Sequence, residues 1–424
     1  MHTIKLIILG VILSVIPLLA FTQNSTNSPY TRHGYGILAD KAFISQRGMG
    51  GIGYGLRNSH LINPMNPATY SNADSMTFMF DVGISGQSWW SKDGSINEKD
   101  KRINGNLEYI AMQFLLAKKL GFGAGIEPVS HVGYAYIDTI SLKEDGLSQD
   151  ISRGSGGLSK VYGILSYDLF NKFSIGAKVA YLFGDISHSV VSSNSINNSY
   201  SISESTILRA YGLLYDFGVQ YHQQIGKFKY LTVGAVYTPK TEFGAIVRNE
   251  LIRGDSSNEI IADKVTTSRD SIFEMPESYG IGFTYNQLGK FTIGADVLYQ
   301  RWANAKFYDQ TNAFNNYLKY NVGGELIPNR TGGNLFSKIR YRAGAHYTNS
   351  YIKVDNSKFN EYGVNIGFGI PTFDRRPEQH SLLNIAFEYS QIKPQMSSHV
   401  NEQFFKISLS YTFNESWFFK RKLQ

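Results

Sequence analysis

The chain has 424 residues, of which 18% are charged and 14% aromatic, and it carries 41 glycines but no cysteine. The missing cysteine excludes a disulfide framework, a thiolate metal site, a cysteine nucleophile and a lipid-modified N-terminal cysteine. A hydrophobic fraction of 42% excludes a bundle of membrane helices, and 28 Tyr with 27 Phe exceed what a soluble enzyme carries. The formal charge is +7, with no basic run longer than Lys420-Arg421-Lys422, so no nucleic-acid partner is indicated.

Met1 to Lys5 forms a basic leader, followed by the apolar run Leu6 to Phe21. That run falls short of the ~20 residues of a spanning helix and has the length of a secretory signal core. Small residues at Ala20 and Thr22 place the expected cleavage before Gln23, so residues 1–22 read as a signal peptide. Residues 23–75 follow without clean alternation. They hold Gly34, Gly36, Gly48, Gly50, Gly51, Gly53 and Gly55, then Asn63-Pro64-Met65-Asn66-Pro67. Gly48 to Gly53 matches G-x-G-x-x-G, yet no strand precedes it and Pro64 and Pro67 soon follow. Close packing of backbone explains these glycines better than a nucleotide does.

From residue 76 onward the apolar side chains recur with period two. Met76, Phe78, Phe80, Val82 and Ile84 share a face, as do Phe291, Ile293, Ala295, Val297 and Tyr299, and Phe405, Ile407, Leu409, Tyr411 and Phe413. Faces of this length match the ~9–11-residue strands that cross a bilayer at a tilt. Tight connections at Lys118-Lys119, Leu169 to Asn171, Ile225 to Lys227 and Leu288-Gly289 alternate with long polar ones. The long ones are Ser91 to Ile103, Asp138 to Arg153, Val191 to Ser201 and Phe307 to Leu335. Short turns at one rim and long loops at the other mark an outer-membrane barrel.

The fold class expected is therefore all-β, a fourteen-stranded antiparallel transmembrane β-barrel. Its strands are placed at 76–90, 104–117, 120–137, 154–169, 172–190, 203–224, 228–248, 259–287, 290–305, 336–348, 351–356, 361–371, 380–393 and 402–413. The barrel spans 76–413, and 414–424 is a periplasmic tail with Trp417, Phe418 and Phe419 at the membrane interface. Eight strands already fill an interior with side chains, so fourteen leave room for residues 23–75 as a plug. Asp81, Lys178, Asp296, Arg340, Arg342 and Glu388 face the lumen, where most serve as ion pairs holding the plug. Arg340 and Arg342 are the candidates for binding a ligand carboxylate, because guanidinium grips that group bidentately. In the third strand Pro128, close to Gly125, lacks a ladder donor and predicts a local break. No H-E-x-x-H, clustered histidine spacing or G-x-S-x-G elbow appears, so no metal, cofactor or enzymatic activity is expected.

Several motifs together resemble the FadL family of outer-membrane transporters. Arg47-Gly48-Met49-Gly50-Gly51 with Asn63-Pro64-Met65-Asn66-Pro67-Ala68 is similar to that family's N-terminal hatch. Pro276 to Gly282, Asp296 to Trp302, Tyr341 to Gly344 and Gly367 to Pro371 are similar to its strands. Ser28 to Gly36 resembles Bacteroidetes members. The resemblance implies a hatch built on Gly48, Gly50, Gly51, Asn63, Asn66, Pro67 and Ala68. It also implies passive uptake of hydrophobic or amphipathic, long-chain fatty acid-like compounds, which leave sideways into membrane lipid at a kink around Gly125 and Pro128. The alternative is a FadL-like barrel, of the PorV kind, serving as a subunit of an outer-membrane secretion or assembly complex with protein partners.

Overall fold

The computed structural model describes residues 26–92, 99–141, 147–194, 201–254, 260–330, 334–354, 357–372, 381–396 and 399–416. The signal peptide and Trp417 to Phe419 lie outside the described residues. Fourteen antiparallel strands close into a ring where the last, Asn401–Ser416, pairs with the first, Thr77–Lys92. Between them run Lys99–Ala117 (second), Leu120–Pro128 continued by Ser130–Ser141 (third), Leu147–Leu169 (fourth), Phe173–Asn194 (fifth) and Ser201–Gly226 (sixth). The seventh is Lys229–Thr238 continued by Thr241–Gly254, and the eighth joins Ile260–Ser268, Phe273–Met275 and Ser278–Gln287. Phe291–Gln300, Tyr317–Leu326, Arg340–Asn349, Phe359–Pro371 and Leu382–Pro394 are the ninth to thirteenth.

Two expectations need correction, and they cancel in the count. Tyr317–Leu326 is a strand inside the stretch read as one long loop, paired on both sides. Its outward face runs Leu318, Tyr320, Val322, Gly324 and Leu326, so a glycine interrupts the apolar row. Nearby Asn312, Asn315 and Asn316 lend the region a loop-like composition. Conversely, the stretch expected as a strand at 351–356 has no strand in its described residues, 351–354. They hold an isolated bridge from Val354 to Ser357, and Tyr351 and Ile352 are buried in the connection between the eleventh and twelfth strands. The last strand also runs past Phe413 to Ser416.

The alternation separates two environments. Val179, Tyr181, Phe183, Ile281, Phe283, Val364, Ile366, Ile407 and Leu409 are exposed on the outside. Their neighbours Lys178, Asn365 and Ser408 are buried on the inside. An apolar exterior over a polar interior is the pattern of a barrel solvated by lipid. Among the described residues no helix is long and apolar enough to cross a membrane; the strands do the crossing.

The leading segment lies among the inward side chains. Tyr35, Phe43, Ile44, Ile52, Tyr54, Ile62 and Tyr70 are almost fully buried there. Its pieces are short: a 3-10 turn Pro29–Arg32, an extended pair Ile37–Leu38, a helical turn Ile44–Arg47 and a 3-10 turn Pro67–Asn72. Ser28 and Asn66 cap the two 3-10 turns by accepting from the amides of Tyr30 and Ala68, and a proline opens each turn without losing a needed donor. Wall glycines admit the segment's backbone. A Cβ on Gly234 would stand 1.8 Å from the Tyr54 carbonyl oxygen, and one on Gly121 2.1 Å from that of Tyr70.

Charge joins segment to wall as well. Glu108 on the second strand accepts from Arg47 Nη2 at 2.7 Å and pairs with Lys406 Nζ at 2.6 Å. Ser85 donates its hydroxyl to the same carboxylate. Removing Glu108 strands two cations in a place where it is itself 2% exposed. Glu108→Ala is expected to destabilise the barrel by about 3–5 kcal/mol, the cost of breaking a buried pair on one side. Denaturant titration of the detergent-solubilised protein measures it.

Candidate functional site

The third strand breaks where the proline lies. Its ladder with the second strand starts at Leu120 and ends at Ile126, opposite Ile110. Its ladder with the fourth strand runs to Pro128 opposite Ser159, and resumes at Val132 opposite Gly156. Three residues, Val129 to His131, therefore face two, Gly157 and Leu158: a one-residue bulge, which bends the bulged strand. Val129 N–H still donates to the Leu158 carbonyl at 2.7 Å, while its own carbonyl accepts from Ala39 N–H at 2.9 Å. Ser130 and His131 pair with Leu38 and Ile37. The leading segment thus occupies the edge of the displaced strand.

Gly125 is not at the break. It stays inside the ladder opposite Ala111 and Tyr162, where a Cβ would lie 2.6 Å from the Ile110 carbonyl. Sequence reasoning missed the glycines that accommodate the bulge. Gly156 and Gly157 have φ of +104° and +146°, and a Cβ on Gly157 would meet the Ser130 carbonyl at 2.4 Å. The signal was present: Gly154-Ser155-Gly156-Gly157 sits within a strand, where glycine marks a bulge or close approach.

Beside the break lies a cavity of about 960 Å³, counting its open mouth. Leu38, Leu214, Met275, Leu298 and Trp302 give it apolar walls, and Pro128 and Val129 form part of one side. Its polar end is a network of lysines and carboxylates. Glu127 pairs with Lys160 at 3.1 Å and Lys178 at 3.0 Å, Lys319 pairs with Asp40 at 2.9 Å, and Asp216 accepts from the Thr238 hydroxyl. Lys41 lines the same cavity and makes no ion pair or hydrogen bond among the described residues. Burial pushes its ammonium down to about 8, helped by Lys160 and Lys178 and opposed by Asp216 and Glu127.

The expected hatch residues cluster as backbone organisers. Gly50 and Gly51 take φ of +70° and +84°, and Gly51 accepts from Asn321 Nδ2 at 3.0 Å. Gly48 touches Gly367 and Arg342 on the wall. Asn63 donates to the carbonyls of Gly53 and Leu56, and Asn66 to those of Tyr54 and Val219. Pro67 packs against Gly176 and Gly218, and Ala68 is fully buried. Asp296 completes the hold, accepting from the amides of Gly53 at 2.6 Å and Tyr54 at 2.9 Å. Arg340 and Arg342 lie elsewhere, and both grip Glu325, at 3.2 and 2.8 Å. Arg342 also donates to Asn384 at 2.8 Å. A ligand carboxylate at these two arginines would have to displace one this chain already supplies.

A closed lipid-facing barrel holding its own leading segment, with a bulged third strand beside an apolar cavity, has the fold of FadL-type barrels. Among solved structures, the toluene transporter TodX of Pseudomonas putida matches with a TM-score of 0.62 at 15% identity, covering 90% of this chain and 100% of that one. A FadL homologue of Pseudomonas aeruginosa matches with 0.60 at 13% identity, covering 89% and 99%. The toluene transporter TbuX of Ralstonia pickettii matches with 0.59 at 16% identity, covering 88% and 98%. The resemblance drawn from the hatch motif therefore holds for the fold. A family model described as BamG matches residues 3–424, and the chain belongs to the BamG family. No curated protein matches it in sequence.

Proposed function

We propose that this protein is an outer-membrane channel for passive uptake of hydrophobic and amphipathic compounds, with the leading segment as its plug and the bulge at Pro128 as a lateral exit into lipid. One observation carries the reading: the apolar cavity shares a wall with the broken strand, so a molecule held there borders the point where the third strand leaves its ladder. The transporters named above share this fold, which supports the reading by analogy. The lone lysine suits ligands with an anionic head, the fatty acid-like class, beside neutral hydrocarbons. No catalytic constellation enters the reading.

The test is binding of a fluorescent fatty acid to the purified barrel. Leu298→Trp, which fills the cavity, is expected to weaken it by about tenfold or more, since steric loss of an apolar site is worth ~1–3 kcal/mol. Lys41 loses its charge as pH rises through about 8. Affinity for the carboxylate is therefore expected to fall roughly tenfold between pH 7 and pH 9, and in Lys41→Gln the slope disappears. Unchanged binding in Leu298→Trp would remove the cavity from the route.

A second reading, a rigid subunit of an outer-membrane assembly or secretion complex, is favoured by the close backbone contacts between segment and wall at Gly121, Gly176, Gly234, Gly323 and Gly344. Gentle extraction from native membranes separates the two: stoichiometric protein partners favour the subunit, a co-purifying lipid in the lumen favours the channel.

A further inference from the structure

On the other side of the leading segment's Leu38 to Asp40, the lumen holds a second, polar cavity of about 870 Å³. Three side chains from three consecutive strands converge on it: His346 from the eleventh, Glu361 from the twelfth and Glu388 from the thirteenth. One ligand-capable atom from each lies within 4.8 Å of the other two. The imidazole is held in place from two directions. Its ring lies over Gly363, where a Cβ would come within 2.0 Å of Cε1, so only glycine leaves the space. Asn365 Oδ1 stands 3.3 Å from Nδ1, placed to accept from the tautomer that carries its proton on that nitrogen. In that tautomer the Nε2 lone pair is free toward the two carboxylates, the arrangement in which an outer hydrogen-bond partner orients a metal-binding histidine.

The one ion pair among them is loose. Nε2 is 3.6 Å from Glu361 Oε1, too long for an N–H···O hydrogen bond of 2.7–3.2 Å. Glu388 makes no hydrogen bond or ion pair among the described residues. The cations around the cavity are already committed, Lys319 to Asp40 and both Lys406 and Arg47 to Glu108. Two metal bonds of ~2.0–2.2 Å meeting at an open angle span such a separation. One nitrogen beside two carboxylate oxygens disfavours calcium, which takes about six to eight oxygens, and three protein ligands leave a fourth position open, as in open zinc sites.

We propose that His346, Glu361 and Glu388 bind one divalent cation of the zinc class, its remaining position open to the lumen. The cation balances two half-buried carboxylates on the inner wall of the barrel and ties the eleventh, twelfth and thirteenth strands together. The expectation of no metal from the sequence rested on local spacing. Here the ligands are far apart along the chain, and cross-strand register assembles them.

The untagged barrel in mild detergent, stripped with chelator, is titrated calorimetrically with Zn²⁺ alone. One equivalent is expected to bind, His346→Ala to abolish that binding, and the isosteric Glu388→Gln to weaken it roughly tenfold or more. Asn365→Leu, which removes only the amide beside His346 Nδ1, is expected to weaken it about tenfold. Heat-modifiable gel migration shows that each variant is folded, and if His346→Ala fails to fold, Glu388→Gln decides alone. Absence of stoichiometric binding by the wild type, or binding unchanged in Glu388→Gln, overturns the site and leaves adventitious zinc at other histidines.

Discussion

Valine at Gly234 is expected to dislodge the leading segment and turn a closed barrel into a conducting one. The Cβ it adds would sit 1.8 Å from the Tyr54 carbonyl oxygen and 2.8 Å from Asn66 Nδ2. Overpacking ordinarily costs about 1–3 kcal/mol, because side chains shift aside. Here the obstacle is backbone, held to this same stretch of wall by Asp296 on the amides of Gly53 and Tyr54 and by Gln220, which lies opposite Gly234, on the Tyr54 carbonyl. No rotamer relieves the clash, so the cost lies at or beyond the top of that range and the segment yields. Planar-bilayer recordings should change from a closed baseline to sustained open-barrel conductance. Gly163→Val is the control, since nothing lies within 4 Å of its Cβ position. A silent Gly234→Val variant with a normal heat-modifiable band would show that the segment does not close the lumen.

The two-residue rhythm made the barrel readable, because lipid outside and polar lumen inside impose opposite demands on alternate positions. It failed where those demands relax. Gly324 breaks the outward row of Tyr317–Leu326, and without five consecutive apolar positions the strand merged into its Asn-rich flanks. Tyr351 and Ile352 misled in the opposite way. They are buried against the leading segment, with the Tyr351 hydroxyl donating to the Gly36 carbonyl, so their hydrophobicity serves a loop. The close packing of the leading segment was legible as glycines and Asn-Pro pairs because backbone packed against backbone tolerates few other residues. Lys41 was not, since one lysine in a loop carries no periodicity, and its isolation appears only when the lysines and acids of other strands have found each other. Arg340 and Arg342 were placed correctly on the inner face, while their partner Glu325 belonged to the strand that went unrecognised.

Deleting Val129 is expected to cut uptake about tenfold while weakening binding much less. The bulge arises because three residues, Val129 to His131, oppose two on the fourth strand. Removing one makes the register of Leu120–Pro128 continuous with that of Ser130–Ser141. Pairing the deletion with Pro128→Thr returns the ladder donor that proline lacks, so the third strand can run straight. A straight strand moves away from Leu38 and Ile37 and extends its contact with the second strand beyond Ile110. On the proposed route the exit beside Pro128 then closes. The side formed by Pro128 and Val129 changes, but the apolar walls at Leu214, Met275, Leu298 and Trp302 belong to other elements and remain in place. Cellular uptake of a labelled hydrophobic compound should drop about tenfold or more, corresponding to ~1.4 kcal/mol on the barrier to exit, while affinity in detergent falls distinctly less, by about two- to threefold. Equal losses of binding and uptake would mean that the bulge shapes the cavity. Full uptake by the straightened barrel would rule out a sideways exit, and the cavity would then have to empty past the leading segment.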